Sequence, residues 1–455
     1  MNTSTTPRPS RPAPGASREY HFPRFERSSL SNKLRVIVAP IHRLPIVTVL
    51  AVVDAGALWD TKGREGTAPL TAGLLLEGAG DFDGAELTER FEEIGATIES
   101  GADWDAAVIS MTVMSQHLTR AMELFSTVIR QPTFRQREVE RLKAERLAEI
   151  LQLRSEPRGL ADEAFESAVY HPSSRYATPL GGSETSVGEI DTPDIRSFYA
   201  DRFSPATTTI VIAGDIEPAK ATGLVEKHLG DWTGPAAVNA PRADRPARET
   251  RATHHVARPD SPQSELRIGH VGVPRAHRDY FDLVVMNAIL GGLFNSRINL
   301  NLREAHAYTY GAFSAFDWRR DAGPVVVSTA VRTDVTAEAI VEVMIEIERI
   351  RREPVQAQEL SLATSYLDGV FPIRYETTAA VAAALANQVI FGLPDDYFDS
   401  YRDNIRSVTV KSVQRAANEH LHPDRLQAVV VGDSSVGEKL RGLGIGEFIE
   451  PGSST

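Results

Sequence analysis

One pattern occurs twice in this chain, about half its length apart, and that repetition constrains the fold more than anything else in it. The first copy is Phe203-Ser-Pro205-Ala-Thr-Thr-Thr-Ile-Val-Ile-Ala-Gly214-Asp215 and the second is Leu421-His-Pro423-Asp-Arg-Leu-Gln-Ala-Val-Val-Val-Gly432-Asp433. The two prolines stand 423 − 205 = 218 positions apart in 455 residues. In each copy the proline stops a preceding helix, the apolar β-branched run forms a buried strand, and Gly-Asp turns out of it. The flanks repeat as well. Amphipathic helices are expected over Thr192–Tyr199 and Val410–His420, and a helical stretch follows each strand. Such spacing predicts duplication of a whole domain, and the length independently asks for two domains of roughly 200 residues.

The boundary between the copies is legible. Residues 234–248 are rich in Pro, Ala and Arg without period 2 or 3.6, as in an extended linker. Strands are expected over Leu34–Ala39, Ile46–Val53 and Glu265–Gly272, with long helices over Arg135–Arg154 and Ala337–Arg352. These elements predict an α+β fold of two tandem homologous domains, each a mostly antiparallel sheet packed with helices. The expected division is a disordered tail over 1–27, a domain over 28–233, a linker over 234–260, a second domain over 261–446 and a tail over 447–455. The linker would let the halves hinge around a shared cleft.

Composition narrows the function by exclusion. Lys plus Arg is 49 against 61 Asp plus Glu, a formal charge of −12, which gives no general reason to bind nucleic acid. The absence of cysteine excludes disulfides, thiolate metal sites and a cysteine nucleophile. No segment reaches 18 uninterrupted apolar residues, so no membrane span is expected. The N-terminal stretch has no apolar core for a signal peptide, and Pro7, Pro9, Pro12 and Pro14 would break a targeting helix. A cytoplasmic location is expected, or a periplasmic or mitochondrial one if a targeting segment has been removed. Among 12 histidines no pair has i, i+4 spacing around an acid, and His254-His255 and His420-x-His422 read as solvated surface. Neither a phosphate-cradling G-x-x-x-x-G-K-[ST] nor a G-x-S-x-G elbow is present.

Several blocks, in order, carry a resemblance: Tyr176-Ala-Thr-Pro-Leu-Gly-Gly, Phe198-Tyr-Ala-Asp-Arg-Phe-Ser-Pro205, Leu290-Gly-Gly-Leu-Phe-Asn-Ser-Arg297 running on through Arg303 to Tyr310-Gly, and Phe371-Pro-Ile-Arg374-Tyr-Glu-Thr377. From about residue 28 to 445 the chain resembles the pitrilysin/insulinase-type zinc peptidases, including the mitochondrial processing peptidase group. The resemblance implies tandem halves enclosing a chamber. It also implies an inverted H-x-x-E-H motif, two histidines for zinc and a glutamate as general base. The matching stretch here is Glu65-Gly-Thr-Ala-Pro69-Leu-Thr-Ala72-Gly73. Pro69 and Gly73 stand where the histidines belong and Ala72 where the base belongs, and none of these side chains can ligate a metal or move a proton. Glu149, at the place of the third ligand, is left without histidine partners. No cofactor is therefore expected on this chain.

The resemblance implies two further sets of residues. Arg303 and Tyr310, seven positions apart, match a family pair that holds the scissile carbonyl and stabilises its oxyanion; Tyr308, five positions from Arg303, fits that spacing less well. The stretch Ala102–Met111 matches the edge strand on which extended peptides bind, making Ala102, Trp104, Ala106 and Val108 candidate substrate contacts. Some members of this family are two-chain enzymes, and this sequence resembles the chain without zinc. The expected partner is a homologous subunit bearing the zinc motif, in a heterodimer or a dimer of heterodimers, acting on peptides and on neither nucleic acid nor membrane. The alternative is a catalytically inactive peptidase-fold protein serving as a peptide-binding or structural core subunit.

Overall fold

The computed structural model describes residues 19–450. Its first half is built on a six-stranded sheet. The strands are β1 (Glu26–Ser29), β2 (Arg35–Pro40), β3 (Ile46–Val53), β4 (Thr97–Ala102), β5 (Ala107–Met114) and β6 (Thr208–Gly214), in the order β1-β2-β6-β3-β5-β4. The second half repeats it with β7 (Ala252–Ala257), β8 (Gln263–Val271), β9 (Ala312–Phe316), β10 (Pro324–Arg332), β11 (Gln427–Gly432) and β12 (Glu447–Ile449), in the order β9-β10-β8-β11-β7-β12. Read from β4 and from β9, the two sheets correspond strand for strand in order. The repeated sequence blocks form β6 and β11, each antiparallel to one neighbour and parallel to the other. Only the outermost strand departs: β1 is antiparallel to β2, while β12 is parallel to β7.

The helices explain why central strands such as β3 and β6 are buried along their length. Those used below are α1 (Thr67–Leu74), α2 (Gln136–Ser155), α3 (Pro157–Val169), α4 (Thr192–Arg202), α5 (Tyr280–Asn287), α6 (Thr336–Arg352), α7 (Ala357–Arg374), α8 (Thr378–Ile390) and α9 (Val410–His420). α3, from the first half, packs on β8 and β11 of the second sheet, and α8, from the second half, packs on β3 and β6 of the first. Each sheet is thus covered on one face by its own helices and on the other by its sister's helix. All seven residues of β6 and seven of the eight in β3 are buried. A strand buried on both faces reads as a continuous hydrophobic run, which is why Ile46–Val53 could be read from sequence.

A second contact joins the halves at two equivalent hairpins. Asp103 Oδ1 accepts the N–H groups of Asp105 and Ala106 at 2.8 and 2.9 Å, closing the β4–β5 turn. The β9–β10 turn, residues 317–323, reaches against it. The Arg320 N–H donates to Asp105 Oδ2 at 2.9 Å and its guanidinium to Asp54 at 2.8 Å. The Arg319 guanidinium lies over the rings of Trp104 and Tyr176 at 4.2 and 4.4 Å, with Glu166 of α3 at 3.6 Å. Burial pushes the Asp105 carboxyl up to about 6 and the Glu166 carboxyl up to about 7, against the pull of the neighbouring arginines.

Three stretches differ from the sequence expectation. The stretch expected as linker, 234–260, contains β7, which lies between β11 and β12; its Ala-Thr-His-His-Val-Ala sequence lacks the apolar run seen in β3, β6 and β11. Residues 1–18 of the expected N-terminal tail lie outside the described residues. Beyond them Phe22 is buried, stacked on Phe398 at 4.0 Å, and Tyr20 packs edge-on against Phe371. At the other end β12 occupies Glu447–Ile449, inside the expected tail. The helical run Tyr280–Ala305 is long and apolar enough to cross a membrane by length and composition, but 61% of its most apolar window is buried inside the protein, as in a core helix.

Candidate functional site

The start of α1, where the zinc motif would stand, is held from below by a buried carboxylate. Gly66 precedes the helix at φ +103°, a left-handed conformation suited to glycine. Asp60, with no exposed side-chain surface, accepts the N–H groups of Gly66 and Ala68 at 2.8 Å each and pairs with Arg175 at 2.9 Å. Arg175 in turn donates to the carbonyls of Thr178, Pro179 and Leu180. Burial pushes the Asp60 carboxyl up, while Arg175 and the two amides favour its charged form. The helix start and the Tyr176–Gly182 loop are therefore one charge-assisted unit.

Above it lies a cavity of about 520 Å³ lined by Pro69 and Leu70 of α1, by Leu142, Arg146, Glu149 and Leu153 of α2, by Glu163 and Glu166 of α3, and by Gly181. Pro69 and Glu149 thus share one cavity, as the family pattern requires. The donors do not. Pro69, in the first helical turn, offers no ligand atom; Ala72 is fully buried; and a side chain at Gly73 would meet Leu142 Cδ2 at 3.2 Å. Glu149, 62% exposed, pairs with Arg146 at 3.1 Å, and Arg146 also donates to the Gly181 carbonyl. A guanidinium beside the remaining carboxylate and no imidazole at 69 or 73 do not fit a zinc ion at this place.

Arg303 and Tyr310 lie in the second half, and neither lines that cavity. Arg303 belongs to a widened helical stretch, Leu300–Ala305, which closes with the His306 N–H on the Asn301 carbonyl, five residues back. Its guanidinium lies 4.5 Å from the Phe294 ring, with Glu304 at 3.5 Å. The next loop is pinned: Arg332 donates to the Ala307 carbonyl, and the Tyr308 N–H to the Leu302 carbonyl. Ala307 adopts φ +54°, a strained left-handed conformation for a residue with a Cβ. Tyr308 packs against the core and stacks on His306, whereas Tyr310 is 93% exposed and Phe294 is 65% exposed.

The stretch expected as one edge strand, Ala102–Met111, is a hairpin. Ala102 ends the edge strand β4, Trp104 and Ala106 are buried in the turn, and Val108 lies on β5, an interior strand. Trp104 is an anchor of the interface between the halves, under Arg319 and edge-on to Tyr176. The free edge for an added peptide strand belongs to Thr97–Ala102, so Ala102 alone of the four candidates stands on it.

Comparison with known proteins agrees with this geometry. Residues 35–179 match the model of insulinase (peptidase family M16), and residues 189–367 match that of the peptidase M16 inactive domain. The chain belongs to peptidase family M16. It is 25% identical to a peptidase M16 inactive domain from Pseudomonas fluorescens, whose crystal structure aligns with a TM-score of 0.84 over 90% of this chain and 98% of that one. The non-peptidase homolog YmxG of Helicobacter pylori is 22% identical over 88% of this chain and 92% of its own length. A probable mitochondrial-processing peptidase subunit beta from Schizosaccharomyces pombe is 26% identical over 59% of each chain. This M16 chain thus has the family's two-half fold, and Pro69, Ala72 and Gly73 on α1 carry no side chain that could ligate a metal.

Folding also gathers residues that spacing could not connect. His277 and Asp279, in the turn before α5, meet His420 at the end of α9, their ligand atoms all within 4.8 Å of one another. His420 lies 141 positions beyond Asp279 and 143 beyond His277 in sequence, and His420-x-His422 alone gives no signal that they converge.

Proposed function

We propose that this chain is the non-zinc subunit of a heterodimeric zinc metalloendopeptidase, supplying Arg303 and Tyr310 to a peptide held at the partner's active site. Tyr310 carries the reading. A tyrosine 93% exposed contributes almost nothing to its own core, yet presents a phenol hydroxyl to solvent from a loop whose backbone is pinned at Ala307. Arg303, a third exposed, stands on the same segment with its charge turned over Phe294. The partner is a homologous chain with an intact H-x-x-E-H motif, and zinc held there supplies the activated water. On this chain the Arg303 guanidinium orients the substrate carbonyl, and the Tyr310 hydroxyl donates to the oxygen that becomes negative in the tetrahedral intermediate.

A second reading, an inactive peptide-binding or core subunit, is favoured by the cavity beside Pro69, whose lining joins apolar side chains such as Leu70, Leu142 and Leu153 to the charged Arg146, Glu149 and Glu163. Capture from source cells with the full chain as bait, wild type beside Arg303→Ala, separates the two. The first reading expects co-purification of a chain bearing H-x-x-E-H, together with peptide cleavage that collapses with Arg303→Ala at equal partner recovery. Cleavage unaffected by the substitution, or no such partner, supports the second.

A further inference from the structure

We propose that His277, Asp279 and His420 form a divalent-cation site of the zinc class, distinct from the degenerate positions of α1 and independent of the peptidase reading. Two imidazoles and one carboxylate are a nitrogen–oxygen set suited to zinc, leaving one position of a tetrahedron for water. The carboxylate is already divided between two tasks. Asp279 Oδ1 accepts from Arg415 at 2.9 Å, which fixes the side chain from behind, while Oδ2 faces His420 Nε2 at 2.8 Å and, at 4.0 Å, His277 Nδ1, which accepts the Asp279 N–H at 3.2 Å. A ligating carboxylate steadied through its other oxygen is the arrangement that tunes metal sites.

The surroundings suit a cation. Asp279 and His420 are 7% and 12% exposed, and His277, at 26%, opens the group to solvent. The two rings lie 4.8 Å apart, edge to face. Asp282 shares Arg415 at 2.8 Å, Glu419 lies 3.9 Å from His420, and Arg278, 83% exposed, lies 3.9 Å from Asp279. Three carboxylates therefore face two guanidiniums, and an incoming double positive charge meets a negative surround. On binding, His420 Nε2 would exchange its hydrogen bond with Asp279 for the cation, His277 Nδ1 would release the Asp279 N–H to do the same, and the same carboxylate oxygen would close the bridge. The ion would tie the turn before α5 to the last residue of α9, two helices that pack together.

The test uses the full chain stripped with chelator, titrated with Zn²⁺ by calorimetry and followed by thermal unfolding, with Co²⁺ absorption as a probe of coordination. The expected result is one Zn²⁺ per chain, a higher Tm with Zn²⁺, and tetrahedral Co²⁺ bands. His277→Ala, at the solvent-open ligand, and His420→Ala should each weaken binding at least tenfold. The metal-free Tm of His277→Ala should stay near that of the wild type. Absence of stoichiometric binding would overturn the proposal, as would equal binding by wild type and His277→Ala.

Discussion

At the scale of single residues, the fold is most exposed to change at Asp60. Its carboxylate is the common acceptor for the first amides of α1 and for Arg175, all buried. Removing one member of a buried pair strands the other, at a typical cost of about 3–5 kcal/mol. Asp60→Ala should therefore lower stability by about that amount, read from denaturant unfolding, whereas loss of the exposed Glu149–Arg146 pair by Glu149→Ala should cost under about 1 kcal/mol. The same contrast separates what sequence could show from what it could not. Pro69, Ala72 and Gly73 were readable as chemically silent because residue type alone decides whether a side chain can ligate. The anchoring by Asp60 was not, since it depends on Arg175, 115 positions away. Nor was the role of Trp104, whose burial follows from Arg319 and Tyr176 closing over it.

At the scale of elements, legibility followed burial. Strands covered on both faces, such as β3 and β6, announce themselves as unbroken apolar runs; β7, with His254 and His255 in its middle, does not. The β4–β5 hairpin was read as one strand because its turn is closed by the Asp103 side chain and lacks the Asn-Gly or Asp-Gly signature of two-residue hairpins. Contact between a helix of one half and the sheet of the other rests on small residues. Gly269 of β8 lies where a Cβ would run into the Val325 carbonyl of β10 and come within 2.9 Å of the Phe165 ring of α3. Gly269→Ala should shift strand and helix apart and destabilise the protein by about 1–3 kcal/mol, the usual range for overpacking. A midpoint of denaturation equal to that of the wild type would show that β8 and α3 have slack.

At the scale of the whole molecule, the duplication produced two sheets that each lend the other a helix, joined by two facing hairpins. That junction should respond to pH. Glu166, packed beside Arg319 and near Asp317, Asp162 and Arg175, has its carboxyl raised to about 7. A carboxyl whose folded value lies above its unfolded one stabilises the fold where it is protonated. That contribution is whole below an unfolded value of about 4.3 and is lost as pH rises through about 7. Glu166→Gln, which leaves Arg319 its Asp317 partner at 2.5 Å, should match the wild-type Tm at pH 4.5 and exceed it increasingly toward pH 8. A constant Tm difference across that range would show that Glu166 does not titrate there. The claim that Arg303 and Tyr310 serve a neighbouring chain is tested most directly by kinetics on the purified two-chain complex carrying Tyr310→Phe. Loss of one oxyanion donor predicts that kcat falls by about 10²–10³ with KM little changed, at undiminished assembly. An unaltered kcat in the intact complex would contradict it.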